Sequence, residues 1–180
     1  MYEIERTNLQ YYKKLLEIIC NISKEHAIHN IIDIGGWRGH FINKTCPKDK
    51  YCFDLKVNSE NVCAGVIPIQ GDFLKYDFED TKYDIVCCCQ VLEHIDSDNV
   101  VRFATKLFEL SNIVIISVPY KWSENFCKWH KQDPVDEKKI FDWVGKKPNE
   151  SYIVAEKNGV QRIINVYVVT FTTFRKSCAK

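Results

Sequence analysis

Hydrophobic residues recur along this chain in two rhythms. Between residues 8 and 26, Leu9, Tyr12, Leu15, Leu16, Ile19 and Ile22 fall three or four apart, the spacing of one apolar helix face. Short apolar runs then take over, each ending in an acid, a glycine or a proline. Asn30–Ile34 closes on a glycine turn, Lys50–Leu55 carries Asp54, and Ala64–Ile69 leads into Gln70-Gly71-Asp72-Phe73. Tyr83–Gln90 is the most apolar run and reads as a central strand, and Ile113–Val118 is a fifth, ended by Pro119. Strands apolar on both faces suit a parallel sheet covered on both sides. Helices are predicted between them, a short one over 38–45 that stops before Pro47 and a longer one capped by Ser97. The latter runs to about Leu110, with Val100, Val101, Phe103, Ala104, Leu107 and Phe108 on its buried face.

Residues 120–150 break this alternation, holding Trp122, Trp129 and Trp143 among charges and two prolines. Beyond them, Ser151–Glu156 and Gln161–Thr170 alternate around Lys157-Asn158-Gly159-Val160, and Asn-Gly between two β-rich runs is a strong hairpin signal. The expectation is a single α/β domain over residues 1–180, with five strand–helix units, an antiparallel C-terminal hairpin and 120–150 as an irregular insert.

Composition narrows the partners. A net charge of +1 on 180 residues gives no broad electrostatic reason for a nucleic acid or an anionic membrane as partner. Met1-Tyr2-Glu3-Ile4-Glu5-Arg6 has charges where an apolar signal core would stand, and no run approaches a membrane span. Nine cysteines lack paired Cys-x-x-Cys spacing, and Cys87, Cys88 and Cys89 are consecutive in a strand, where neighbours point to opposite faces and cannot share a metal. Reduced, mostly buried thiols in a cytoplasmic protein are expected. The pattern leaves the oligomeric state open.

Candidate chemistry begins at Ile32-Asp33-Ile34-Gly35-Gly36-Trp37-Arg38-Gly39. A buried strand ending in an acid and a glycine-dense turn lets a ligand approach the backbone closely. Asp54 follows Asp33 by about the interval at which a dinucleotide-type unit sets a carboxylate on a ribose. With Gly71-Asp72-Phe73 and Gln90-Val91-Leu92-Glu93-His94, four acid-bearing strand ends line up along one edge of a doubly wound sheet, where open α/β sheets bind ligands.

On these residues the chain resembles the class I S-adenosylmethionine-dependent methyltransferases (small-molecule, type 11-like), over roughly residues 10–172. The resemblance implies a Rossmann-like, doubly wound, seven-stranded, mostly parallel sheet with a reversed seventh strand, and S-adenosyl-L-methionine as cofactor. Asp33, Gly35 and Gly39 fall on the family's acid-x-Gly-x-Gly-x-Gly turn. Gly36 is an additional glycine, and Trp37 replaces the middle one. The resemblance implies that Asp54 takes the ribose hydroxyls, Leu55 touches adenine, Asp72 accepts the adenine amino group and Phe73 lies against the ring. Gln90 and Val91 would run beneath the methionine portion. Glu93 and His94 read as structural.

Methyl transfer from a sulfonium is an in-line displacement that positioning can drive, so no metal is expected. The acceptor, a small molecule, is expected over the methyl group, in the 120–150 stretch. A hydroxyl acceptor needs a base, and His130 is the candidate, with Asp133 to orient it or the hydroxyl. Tryptophans among polar side chains suit a sugar or nucleotide-sugar acceptor, as in a surface-glycan pathway. Two other readings stand beside this one. A silent binding module would keep the fold without the chemistry, and a nicotinamide-dependent oxidoreductase fits the glycine spacing poorly and leaves Asp72 unexplained.

Overall fold

The computed structural model describes residues 8–169; Thr170, the expected end of the last strand, lies outside them. Helix α1 covers Gln10–Glu25, burying Tyr11, Leu15, Ile18 and Ile19 along one stripe. Strands follow at β1 (Asn30–Ile34), β2 (Asp49–Asp54), β3 (Ile67–Gln70) and β4 (Ile85–Cys89). Helix α2 (Ser97–Leu110), β5 (Ile113–Pro119), helix α3 (Glu137–Val144), β6 (Glu150–Ala155) and β7 (Gln161–Val168) complete the chain.

The strands form one sheet in the order β3-β2-β1-β4-β5-β7-β6. All pairs are parallel except those of β7, which runs antiparallel to both β5 and β6. The doubly wound, mostly parallel sheet with an antiparallel hairpin is therefore present. Strand alternation sends Ile31, Ile85 and Cys87 toward α1, whereas Ile32, Ile34, Val86 and Cys88 face α2 and α3. Two cores result, one per face, because every central strand is apolar on both sides. The base of the sheet is pinned by Asp84, whose Oδ2 accepts from the amides of His29 (2.7 Å) and Asn30 (3.0 Å).

Several expectations are corrected. The predicted helix at 38–45 is a single 3-10 turn at Ile42–Lys44, too short to show a helical stripe. No α-helix intervenes between β1 and β2, β2 and β3, or β3 and β4, so the five strand–helix units shrink to a sheet with mostly loop crossovers on that side. The third strand starts at Ile67 rather than Ala64, since Gly65 adopts φ 83° and the Val66 amide turns back onto the Cys63 carbonyl. Ser97 is the first residue of α2, not its cap; Asp96 holds the cap position without a side-chain bond.

Inside the stretch expected to be irregular, Asp136 caps α3 by accepting from the Lys139 amide at 2.8 Å, and Gly145 ends it in the left-handed conformation. Ile140, Trp143 and Val144 of this helix are buried. Cysteines are less buried than expected: Cys52, Cys87 and Cys88 are buried, Cys46 is exposed, and Cys20, Cys63, Cys89 and Cys127 are intermediate.

Candidate functional site

The carboxyl ends of β1, β2 and β4 open onto a cavity of about 890 Å³ that also takes in the turn beyond β3, within the range of ligand sites. Nine of the ten residues expected to hold the cofactor line it, namely Asp33, Gly35, Gly36, Asp54, Leu55, Asp72, Phe73, Gln90 and Val91; Gly39 does not, although its neighbours Arg38 and His40 do.

The turn after β1 explains its glycines. Gly35 has φ 77°, and a Cβ there would sit 2.5 Å from Val91 Cγ2. Gly36 is packed from behind, where a Cβ would lie 2.7 Å from Asp33 Oδ2. Gly39 needs its positive φ of 74°, and its amide donates to the Gly36 carbonyl at 2.9 Å. Trp37 takes φ 56° itself, so an indole-bearing residue adopts a left-handed backbone at the position where the resemblance leads one to expect glycine. Its ring is half exposed, and its amide donates to Asp54 Oδ2 at 3.1 Å.

The acids differ in their surroundings. Asp33 is 3% exposed, and burial, reinforced by the charge of Asp54, pushes its pKa up to about 8. Asp54 stands at the end of β2, with Oδ1 accepting from the Lys56 amide at 3.0 Å. Asp72 Oδ1 accepts from the Leu74 amide at 3.1 Å and its Oδ2 lies 3.3 Å from Lys75 Nζ, so it shapes the turn beyond β3 while lining the cavity. Phe73 is largely a core residue, 5% exposed and packed against Phe53, Phe78 and Phe103. Leu55 is 65% exposed at the mouth.

Gln90 adopts φ 61° just past β4. Its Nε2 donates to Ser117 Oγ at 3.3 Å, and its Oε1 accepts from Arg162 Nε at 3.0 Å. Tyr12, His40 and His94 also line the cavity. Tyr12 belongs to a stripe that reads simply as core, and His94 to a stretch that reads as structural, so neither stands out in the sequence.

His94 brings the expected base into view. The connection after β4 makes a 3-10 turn at Leu92–His94, and the loop 120–136 is stapled over it. The Lys131 amide donates to the Glu93 carbonyl at 2.8 Å, and buried Gln132 donates through Nε2 to the Ile95 carbonyl (2.7 Å) and Ser97 Oγ (3.2 Å). Lys139 Nζ in turn donates to the Gln132 carbonyl. This lays the His130 ring 4.8 Å from that of His94, edge to face. His130 Nδ1 is 2.7 Å from Asp133 Oδ2, with both side chains at least nine-tenths buried. The structure thus joins His130 and Asp133. It does not put them on the cavity wall; they reach it through His94. His130 is not a solvated loop histidine, since Trp122 stacks on it at 5.5 Å.

The rest of the expected acceptor stretch divides. Trp143 is core, and Phe141 and Asp142 lie exposed on α3, so none of the three joins the site. Trp122 stays with His130 and exposed Phe126 packs on Trp122, whereas Trp129 is exposed and meets His94 through its carbonyl.

Residues 41–110 match a protein family described as a methyltransferase domain. In sequence, no curated protein matches the chain. Among solved structures, it is similar to 1,6-didemethyltoxoflavin-N1-methyltransferase of Burkholderia thailandensis with bound 1,6-didemethyltoxoflavin and S-adenosylhomocysteine. The TM-score is 0.70 at 13% identity, covering 91% of this chain and 80% of that one. The N-terminal domain of EvdMO1, crystallised in the presence of S-adenosylhomocysteine and D-fucose, gives 0.60 at 13% identity over 89% and 82% of the two chains. The small RNA methyltransferase HEN1 gives 0.64 at 19% identity, over 88% of this chain and 25% of that one. Sheet order and the cavity at its carboxyl edge give the chain the fold of the class I S-adenosylmethionine-dependent methyltransferases, and residues 41–110 within it carry the match to a methyltransferase domain.

Proposed function

We propose that the chain transfers the methyl group of S-adenosylmethionine to a hydroxyl of a small molecule, a sugar or nucleotide sugar. In this reading Asp54 and Asp72 hold the adenosine over β2 and β3, and the sulfonium lies toward β4, near Gln90 and His94. The observation that carries it is the buried His130–Asp133 pair packed against His94 at that end of the cavity. A hydroxyl oxygen becomes a good nucleophile only as its proton leaves, and an imidazole oriented by a carboxylate is suited to assist that departure. An amine or carboxylate acceptor needs no such pair.

Trp122 on the same histidine and Phe126 beside it offer rings on which a pyranose can stack. The similarity to a domain crystallised in the presence of D-fucose supports a sugar, and the net charge of +1 supports a small molecule over a nucleic acid.

The test is a methyl-transfer screen against sugars, nucleotide sugars, amines and small acids, read as S-adenosylhomocysteine formed. Turnover is expected on hydroxyl compounds, falling by about 10²–10⁴ in His130→Ala. Turnover confined to amines or acids overturns the reading.

A further inference from the structure

We propose that Glu93, His94 and His130 bind a divalent first-row transition-metal ion at the β4 end of the cofactor cavity, where the ion activates the acceptor hydroxyl. The ion site stands on its own geometry; its part in activation rests on the hydroxyl-methylation reading above. It departs from the sequence-based expectation that no metal is needed.

One potential ligand atom from each of the three residues lies within 4.8 Å of the others. Ligand atoms bound at about 2.1 Å to one ion stand about 3.0–3.4 Å apart at cis-octahedral or tetrahedral angles, so side-chain shifts of about 1 Å close the cluster. The imidazoles are already set for this. A carbonyl oxygen only accepts, so His94 Nδ1, 2.9 Å from the Trp129 carbonyl, carries the proton and the lone pair falls on Nε2. That Nε2 is 4.0 Å from Glu93 Oε1. His130 is fixed in the same sense, its Nδ1 against Asp133 Oδ2 at 2.7 Å. An imidazole that donates one nitrogen's proton to a carbonyl or carboxylate while the other nitrogen faces a shared point is the usual outer arrangement of a metal-binding histidine.

Glu93 is fully buried beside the two imidazoles, a setting in which a cation stabilises a carboxylate. Two nitrogens and one carboxylate favour manganese, iron, cobalt or zinc over magnesium, which prefers an all-oxygen shell. Three protein ligands leave positions open. His94 belongs to both the cluster and the cavity wall, so the cavity supplies access to those positions for the hydroxyl oxygen. As that oxygen binds the ion, its O–H proton passes to solvent. The oxygen's electron pair then forms the new C–O bond while the electron pair of the breaking C–S bond stays on sulfur, leaving a neutral thioether. The help that the His130–Asp133 pair gives the departing proton then runs through the ion: His130 ligates it and Asp133 orients His130, so the pair still distinguishes a hydroxyl acceptor while the imidazole itself takes no proton.

The experiment strips the full chain with EDTA and titrates it with Mn²⁺, read by the electron paramagnetic resonance of free ion, and with Co²⁺, read by visible absorption. S-adenosylhomocysteine binding is measured on the same samples to report an intact cavity. One ion per chain is expected, bound more weakly by about tenfold or more in His94→Ala, His130→Ala and Asp133→Ala. His130→Ala and Asp133→Ala should still bind S-adenosylhomocysteine. Asp54→Ala should do the reverse, losing S-adenosylhomocysteine affinity and keeping the ion. Equal weak binding by wild type and the histidine variants overturns the site. Hydroxyl methylation that persists at full rate in EDTA overturns the activation step and leaves the proposed reaction standing, whereas stoichiometric ion binding without any hydroxyl acceptor overturns the reaction and leaves the site.

Discussion

Asp54 has its two oxygens turned to main-chain donors, Oδ2 to Trp37 and Oδ1 to Lys56. A carboxylate so held is fixed in place yet retains lone pairs for a diol. Asp54→Ala is therefore expected to weaken S-adenosylhomocysteine binding by about 1–3 kcal/mol, checked by isothermal titration. Asp33 behaves differently because burial holds it protonated up to about pH 8, well above its ordinary value of 3.8. Between those limits the unfolded chain gives up this proton while the folded chain keeps it. Asp33 thus favours folding fully below pH ~4, and that contribution is lost as pH rises toward 8, at up to ~1.4 kcal/mol per unit. Asp33→Asn removes the titration, so urea unfolding at pH 5 and pH 8 should show the variant gaining on wild type at the higher pH. These acids were legible because each ends an apolar run. Trp37 was legible as a departure, but not that it would take glycine's backbone conformation, which is a property of the turn as a whole. His94 was not legible as a partner of His130, since they come from segments separated by the whole of α2 and β5.

At the level of elements, Gln132 decides where the loop 120–136 lies. Its amide reaches the Ile95 carbonyl and Ser97 Oγ on the link between β4 and α2. Gln132→Ala is expected to cost about 1–2 kcal/mol in urea unfolding, the scale of losing bonds to part-buried groups. Faster amide exchange at Lys131, which donates to Glu93, should accompany it, and unchanged exchange would count against the staple. The pattern of hydrophobic residues gave α1 and α2 readily, because both are long enough to show their stripe. Helix α3 hid because its eight residues carry one apolar cluster, Ile140, Trp143 and Val144, among charges. The missing helix at 38–45 shows the converse: a glycine turn followed by Phe41 and Ile42 packs well enough as a 3-10 turn, with both side chains buried.

For the molecule as a whole, strand order could not be read from periodicity, since one apolar run resembles another; it came from the spacing of acids and the family resemblance they carry. One long-range bond ties the architecture together. Leu9 offers no side-chain cap to α1; instead, the Glu156 carboxylate beyond β6 accepts from the amides of Gln10 (2.9 Å) and Tyr11 (3.1 Å), and its charge suits a helix N-terminus. The sequence separation is 146 residues. At ~5–20 residues per second, a ribosome would release that carboxylate about 7–30 s after the helix it completes. During that interval α1 gains β1, β2, β4 and β5 beneath its stripe one after another but still lacks its anion and β7, so the first of the described helices is capped only near the end of synthesis.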